Sequence, residues 1–576
     1  MTFFTTGNNS IDALVYSSWT TNPGKPVSLT YSFMNVAPSD GSADDVNGFA
    51  PMSFAQQQAV RTALASWAAV ADVTFSEVSS GGNIQLATND QGNQSSGYAY
   101  LPNGGDPTYL FLNNTDRTNT VYTAGSFGPS VLIHELGHTL GLKHPGNYNS
   151  TGGDIDGPFL PTATDNLDYT QMSYNTGSGY QLSHQYGTTP ALYDIQAMQY
   201  LYGANMAYHA GDDLYSFVRS SPSQCIWDAG GSDVFDFRGC TDAVTINLNA
   251  GSFSSTAPGY NNISIAYNVT IELAIAGSGG STIYANNNGN VIAGGKGADV
   301  VYEGAGSDTI SGGDGVDTVV FSGAFAHYAL SGNMADLIVT GDGTDRLSEV
   351  ELLQFGDRTI DLSGGGKILK GSAANDVLVA GPGNDYIDSG AGFDTVNYSG
   401  ARSNYTVSAS GGDFTVTDNA GSGGHDTLTG VERLYFDSGN AVALDVERHE
   451  IGGEAYRLYQ SAFHRAPDLG GLGFWIRVLD HGFTLDQMAE QFLLSAEFTA
   501  TYGANLSDTD FVYQVYRNSL GREPDAGGAQ FYIHNIAIGA ISRAGVLADI
   551  SESPENVGHL ATIIGSGFDY AFDPTT

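Results

Sequence analysis

HELGHTLGLKH, residues 134–144, decides the reading of this chain. On a helix, His134 and His138 lie one turn apart and project from one face, as two ligands of a single metal must. Glu135 stands beside His134, within reach of a water on that metal without being a ligand itself. Gly141 lets the helix end in a sharp turn, and His144 then returns as a third imidazole. Three neutral nitrogens with an open fourth position describe a catalytic zinc site, because structural zinc sites fill all four positions. Zinc lowers the pKa of its water toward neutrality, and Glu135 is placed to take the proton as general base. Two helix histidines four apart by coincidence are the bland alternative. That alternative leaves Gly141 and His144 unexplained, and three of the chain's 12 histidines fall in this one stretch.

Working outward, residues 52–71 have helical spacing with Val60, Leu64 and Trp67 on one face. VTFSEV (73–78), IQLAT (84–88), GYAYL (97–101) and YLFL (109–112) alternate as strands between Gly/Asn turns. Further helices are predicted at about 130–142 and 191–203, so residues 1–205 read as an α/β unit.

Beyond residue 220 the text turns to Gly, Asp, Asn and β-branched triplets. GGKGADVVY (294–302), EGAGSDTIS (303–311) and GGDGVDTVV (312–320) are consecutive nonapeptides with Asp299, Asp308 and Asp317 in register. GSAANDVLV (371–379), AGPGNDYID (380–388) and SGAGFDTVN (389–397) form a second array with Asp376, Asp385 and Asp394. A larger duplication encloses both: FSGAFAHY (321–328) matches YSGARSNY (398–405), and TDRLSEVELLQF (344–355) matches HDTLTGVERLYF (425–436). In such a repeat the Gly-rich half makes a turn with inward carbonyls, the Asp adds a carboxylate, and an apolar residue starts a short strand. Stacked turns give a parallel β-roll with several structural Ca2+ between them, held by oxygen. The expected ligands are Gly294, Gly295, Gly297 and Asp299; Gly304, Gly306 and Asp308; Gly312, Gly313, Gly315 and Asp317. In the second array they are Asp376; Gly381, Gly383 and Asp385; Gly390, Gly392 and Asp394. Thr282 and Asn290 stand at Asp positions just before the first array and should weaken those sites. A Gly-rich linker or calcium-free solenoid is the bland alternative, which six aspartates in two registers disfavour.

Composition agrees. The chain has 576 residues, about four domains at roughly 150 each, and its net charge is 20 − 61 = −41. So few basic residues disfavour a nucleic-acid partner. Hydrophobic residues at 41% exclude a disordered acidic polymer. The 76 glycines have no G-X-Y period and so are not collagen. No apolar run is long enough to insert into a membrane. Residues 1–19 lack a basic n-region, an apolar core and a cleavage site, so the general secretory route is not predicted. Cys225 and Cys240 leave open either one bridge or two buried thiols.

His134–Glu135–His138–Gly141–His144 resembles the metzincin pattern of zinc endopeptidases. YTQMSYN (169–175) resembles that family's Met-turn and supplies Met172. Pro145 after the third His, Tyr174 two residues beyond the Met, and the segments LTYSF (29–33) and DIQAMQYLYGAN (194–205) resemble the serralysin branch, whose protease domain continues into an RTX β-roll. The resemblance covers about residues 10–325, and the second RTX array extends it to about 445. It implies that Tyr174 ligates zinc in the resting enzyme and then hydrogen-bonds the oxyanion. It also makes IWDAGGSDVFDF (226–237) a first calcium turn with Asp228, Gly230, Gly231 and Asp233 as ligands. SFVRSSPSQC (216–225) looks shorter than the family's loop, which puts an extra calcium site there in doubt.

From about Asp445 the text is aromatic-rich and helical. AYRLYQSAFHRAPDLGGLGFW (455–475) echoes VYQVYRNSLGREPDAGGAQFY (512–532), with Pro467 and Pro524 near a turn and Arg–Asp pairs expected. This segment resembles a helical domain of unknown function appended to bacterial RTX and surface proteins. The implied fold class is therefore multi-domain. It comprises an α/β metzincin catalytic domain (1–205), an RTX β-roll with the first array (206–362) and a second array with its flanking β segment (363–446). An all-α domain (447–576) ends in a C-terminal secretion signal. The implied function is a secreted zinc endopeptidase, stabilised by calcium and acting on extracellular proteins and peptides bound against GYAYL. Type I secretion machinery and a protein inhibitor would be its partners. The alternative is a calcium-dependent, cell-surface adhesion protein with a vestigial protease domain.

Overall fold

Ser53 starts the first long helix, Phe54–Val70. Its hydroxyl accepts from the Gln56 backbone N–H while the Gln56 side chain accepts from the Ser53 N–H, satisfying two donors that a helix start leaves open. One face buries Val60, Ala63, Leu64, Trp67 and Val70, each large apolar side chain contributing roughly 1.5–3 kcal/mol. A computed structural model describes residues 5–148, 157–421 and 423–572. They form two compact units, one built from residues up to Ala329 together with Ile338–Arg358, the other from Leu330–Leu337 together with Thr359 onward.

The first unit opens with a five-stranded sheet. Its strands are β1 (Val27–Phe33), β2 (Val73–Glu77), β3 (Ile84–Asn89), β4 (Gly97–Ala99) and β5 (Thr108–Asn113), in the order β2-β1-β3-β5-β4. All pairings are parallel except the edge strand β4, which runs antiparallel to β5. The helices Phe127–Thr139 and Leu192–Tyr202 complete this region. The first of these starts and ends three residues earlier than its sequence pattern predicts. Gly141 takes φ +113° and turns the chain out of the helix.

The same unit continues as a coil of short strands. Val291–Ala293 pairs with Thr309–Ser311 and Val300–Tyr302 with Thr318–Val320, both parallel. Neighbours in each sheet are thus 18 residues apart, two nonapeptides per turn. Thr282 lies opposite Val300, so Ser281, not Thr282, occupies the Asp299 register; the sequence expectation was one residue off. Cys225 and Cys240 are both buried and unbridged. Burial pushes their thiols up to about 12 and about 11, so both are inert at neutral pH.

The second unit repeats the coil. Ile368–Lys370 pairs with Tyr386–Asp388 and Val377–Val379 with the Thr395–Tyr398 strand, again parallel. Its helical part holds two copies of one hairpin, Ile451–Phe463 with Leu469–Asp480 and Asp508–Leu520 with Ala526–Ala537. The first helix of each ends left-handed, at His464 (φ +52°) and Gly521 (φ +65°). Of the expected Arg–Asp pairs, Arg465 reaches Asp468 at 3.8 Å and Arg543 pairs with Asp508 at 2.6 Å; Arg465 and Arg522 also pair more closely with Glu497 and Glu555, while Asp468 and Asp525 cap the second helices. The strand Phe568–Ala571 returns to pair antiparallel with Asn440–Ala443. Among the described residues no helix is long and apolar enough to cross a membrane.

Candidate functional site

The helix Phe127–Thr139 carries Glu135 and His138, both buried, and the half-buried His134. Gly141 cannot be another residue without disruption: a Cβ there would lie 2.0 Å from the Ser17 carbonyl oxygen. The Gly141 carbonyl accepts from Tyr16 and Ser17 N–H at 2.9 and 3.1 Å, and Lys143 N–H donates to Leu14 at 2.7 Å. This clamp by residues 14–17 sends the chain back over the helix and delivers His144.

The three imidazoles converge. His144 Nε2 lies 3.0 Å from His134 Nε2 and 3.1 Å from His138 Nε2. His134 Nδ1 donates to the Gln171 carbonyl and His138 Nδ1 to that of Leu142, each at 2.8 Å. Both neutral rings therefore present bare Nε2 lone pairs. A proton on His144 Nε2 can satisfy only one of its two contacts, so the Nε2 lone pair of the other histidine faces His144 without a donor. Burial lowers His134 to about 4 and His138 to about 3, and lowers His144 further still with help from the neighbouring histidines. All three are thus neutral at pH 7. A donor set of this kind fits a zinc ion, whose ~2.0–2.1 Å bonds to nitrogen in a tetrahedron separate ligands by a little over 3 Å. The carbonyl-anchored Nδ1 atoms are the outer-shell support such ligands need.

Glu135 is buried, and its Oε2 has no hydrogen-bond partner. Burial pushes its carboxyl up to about 8, an environment that holds or takes a proton near neutrality. Gly97 of β4 faces it closely: a Cβ there would come within 3.1 Å of Glu135 Cγ, so the Glu135 side chain would have to give way. Met172 is fully buried beneath the helix, in space left by Gly137, where a Cβ would meet its Sδ at 2.6 Å. Tyr174 stands at the rim, about half exposed, with its ring centroid 5.7 Å from His134 and 4.6 Å from His144. The sequence reading did not find Asp194. Fully buried, it accepts from Thr170 Oγ1, Gln171 N–H and Ala191 N–H at 2.5–2.8 Å, so it fixes the very turn whose carbonyl orients His134. Its place as an acidic residue in the first turn of the helix at 192–202 is the sequence signal that could have pointed to it.

The coils carry a second pattern. Four of the six register carboxylates accept from the backbone N–H of the register residue one turn earlier: Asp317 from Asp299, Asp308 from Asn290, Asp394 from Asp376 and Asp385 from Lys367, all at 2.6–2.8 Å. Oxygens of Asp233, Asp299, Asp308, Asp317 and Asp394 are buried with no partner, which is costly for carboxylates unless a cation sits beside them. At the 226–237 turn, Asp228 lies with His209 and Asp213 in one cluster of potential ligand atoms within 4.8 Å. Gly295 and Gly315 belong to the turns for a reason: a Cβ on Gly295 would sit 1.6 Å from the Gly277 carbonyl, and Gly315 takes φ +143°. Four further carboxylates close the ladders beyond the nonapeptides. Asp345 accepts from Asp308 and Glu351 from Asp317; Asp426 accepts from Asp385 and Glu432 from Asp394. The sequence reading passed over them, although they sit at matching places in the duplicated 344–355 and 425–436 segments.

Comparison with known proteins finds three family matches along the chain. Residues 191–361 match the Peptidase M10 serralysin C-terminal family, residues 363–396 the RTX calcium-binding nonapeptide repeat, and residues 489–560 a domain of unknown function (DUF4214). Among similar curated proteins, Metalloprotease AprA of Pseudomonas entomophila (strain L48) is 39% identical over 46% of this chain and 60% of its own length. Serralysin C of Dickeya chrysanthemi is 39% identical over 45% and 59%, and Serralysin of Proteus mirabilis is 36% identical over 46% and 60%. The chain thus spans about 60% of the length of these relatives. The chain is thus similar to metalloproteases of the serralysin type, and its residues 363–396 match RTX calcium-binding repeats.

Proposed function

We propose that the chain is a secreted zinc-dependent endopeptidase, folded and stabilised by calcium, that cleaves extracellular proteins. The observation that carries this reading is the convergence of three histidine nitrogens, His134 and His138 Nε2 each within 3.1 Å of His144 Nε2, beside Glu135, whose Oε2 has no hydrogen-bond partner. His134, His138 and His144 would hold one zinc, with Tyr174 as a further ligand. When bound, that ion supplies Lewis-acid polarisation of the scissile carbonyl and a water acidic enough to ionise near neutral pH. Glu135 takes the proton and passes it to the leaving amine. Tyr174 donates a hydrogen bond to the oxyanion, and Met172 packs under the histidine helix. The edge position of β4, beside Glu135, suits a substrate bound extended and antiparallel.

The five-stranded sheet with its histidine helix supports a metzincin catalytic domain, and the parallel ladders on either side of the 321–343 segment support a duplicated RTX array. Calcium would bind at Asp228, Gly230, Gly231 and Asp233 and at the nonapeptide residues, with Asp345, Glu351, Asp426 and Glu432 closing the stacks. Extracellular release by type I machinery reading the C-terminal tail fits this class; the last four residues of that tail, 573–576, lie outside the described ones. A protein inhibitor belongs to the same reading. The adhesion alternative is disfavoured, because a vestigial site should have lost Glu135 or a histidine.

Glu135→Gln keeps the burial and removes the base. Casein hydrolysis should fall by about 10²–10⁴-fold with one zinc still bound per chain. Activity within twofold of wild type, or activity indifferent to a zinc chelator in the wild type, would overturn the assignment.

A further inference from the structure

Tyr174 is the one residue of the proposed machinery that must move, and it is flanked by a group with no assigned role. Tyr148 stacks on it face to face, with ring centroids 4.8 Å apart and planes 16° apart. Tyr148 is itself held by hydrogen bonds. Its hydroxyl donates to Asp165 Oδ1, lies 3.1 Å from Ser173 Oγ, and receives an N–H from Asn175 Nδ2 at 3.4 Å. Ser173 and Asn175 are the two neighbours of Tyr174 in sequence. Ser173 Oγ donates to the same Asp165 oxygen at 2.7 Å, and Asn175 Nδ2 donates to the Asp165 carbonyl at 2.9 Å. Asp165 is buried; its carboxylate and its main-chain carbonyl together tie the side chains on both sides of Tyr174 to the ring stacked on it. Tyr174 also contacts the rings of His134 and His144. It therefore has two aromatic supports, the metal-ligating rings on one side and Tyr148 on another.

We propose that Tyr148, clamped by Asp165, is a positioning residue that supplies the ring on which Tyr174 rests, setting how readily Tyr174 leaves its place beside the histidines. Aromatic pairs of this kind are worth about 0.5–1.5 kcal/mol beyond their buried area, enough to shift a two-position equilibrium by roughly two- to tenfold. Tyr148 touches neither metal nor substrate; it acts through Tyr174. The inference rests on the reading of Tyr174 as a mobile ligand, and the test separates the two.

The full chain is loaded with Cu(II) in place of zinc, and the tyrosinate-to-copper charge-transfer absorption is recorded for wild type, Tyr174→Phe, Tyr148→Leu, Tyr148→Phe and Asp165→Asn. Tyr174→Phe should abolish the band. Tyr148→Leu, which removes the ring, should change its intensity at least twofold with copper stoichiometry unchanged. Tyr148→Phe, which keeps the ring and loses the hydroxyl, should lie between, and Asp165→Asn should follow it. With zinc, Tyr148→Leu should alter kcat about two- to tenfold and leave KM for a short peptide within twofold, whereas general loosening would lower zinc stoichiometry. A wild-type spectrum without a band that Tyr174→Phe removes overturns the reading of Tyr174 itself. A band present in wild type and unchanged in Tyr148→Leu overturns only the role of Tyr148. Should Tyr148→Leu not fold, wild-type bands in both Tyr148→Phe and Asp165→Asn overturn that role equally.

Discussion

Gly141→Ala should damage zinc binding although residue 141 is no ligand. The added Cβ would lie 2.0 Å from the Ser17 carbonyl oxygen and 2.8 Å from its carbon, and the overlap is with backbone that has nowhere to go. Tyr16 and Ser17 both donate to the Gly141 carbonyl, and Lys143 donates to Leu14, so relieving the clash means opening this three-bond clamp. The φ of +113° adds a left-handed strain of about 1–2 kcal/mol for an L-residue. Losing two of the clamp's hydrogen bonds adds about 0.5–1.5 kcal/mol each. The sum is about 2–5 kcal/mol, concentrated in the turn that places His144. If the fold yields there first, zinc affinity should drop about 30-fold or more, because each 1.4 kcal/mol is a factor of ten. Competition with a chromophoric chelator measures that affinity, and thermal unfolding of the zinc-free protein measures the remaining strain. Zinc affinity within twofold of wild type, with an unchanged zinc-free Tm, would refute the argument that the N-terminal clamp positions His144.

Two further outcomes follow from the coils. Burial, with neighbouring carboxylates behind it, raises Asp317 and Asp345 to about 6 and Asp426 to about 7, against about 3.9 for an unfolded Asp. The folded state then holds these protons more tightly, so without calcium the fold should lose stability as pH rises from about 4 through 7. Thermal unfolding of EGTA-treated protein should give a higher Tm at pH 5 than at pH 7.5, with the difference reduced or reversed under saturating calcium; a calcium-free Tm that rises over that interval counts against the account. Asp345→Asn keeps an oxygen to accept from Asp308 N–H but removes a charge. It should raise calcium-free stability and shift the calcium-titration midpoint up about tenfold, read by intrinsic fluorescence; an unchanged midpoint removes Asp345 from the calcium ligands.

What the sequence disclosed and what it withheld divide along a physical line. A ligand set confined to one helix and the turn after it, His134 to His144, is written in local spacing, so its convergence was legible from 11 residues. Asp194 was not, because it acts through the Thr170–Gln171 turn, more than twenty residues away in sequence, and only the folded contact joins them. Asp345 and Asp426 were hidden differently. Between Asp308 and Asp345 the chain travels 37 residues rather than 18 before it rejoins the coil, and between Asp385 and Asp426 it travels 41. Counting in nines loses the register across each excursion. What keeps it is the backbone: the same N–H-to-carboxylate bond recurs whatever the length of chain between, and the next strand lies in parallel register, Ile310 beside Leu347 and Ile387 beside Leu428. The carboxylates that close each stack are therefore fixed by pairing rather than by period. The second carboxylate oxygens of their neighbours Asp308, Asp317 and Asp394, which have no partner, then make the stack's end as demanding of a cation as its middle. On the proposed calcium reading, much of the chain's acidity would be a folding condition: aspartates stacked turn over turn repel one another, and an ion between them would offset that repulsion.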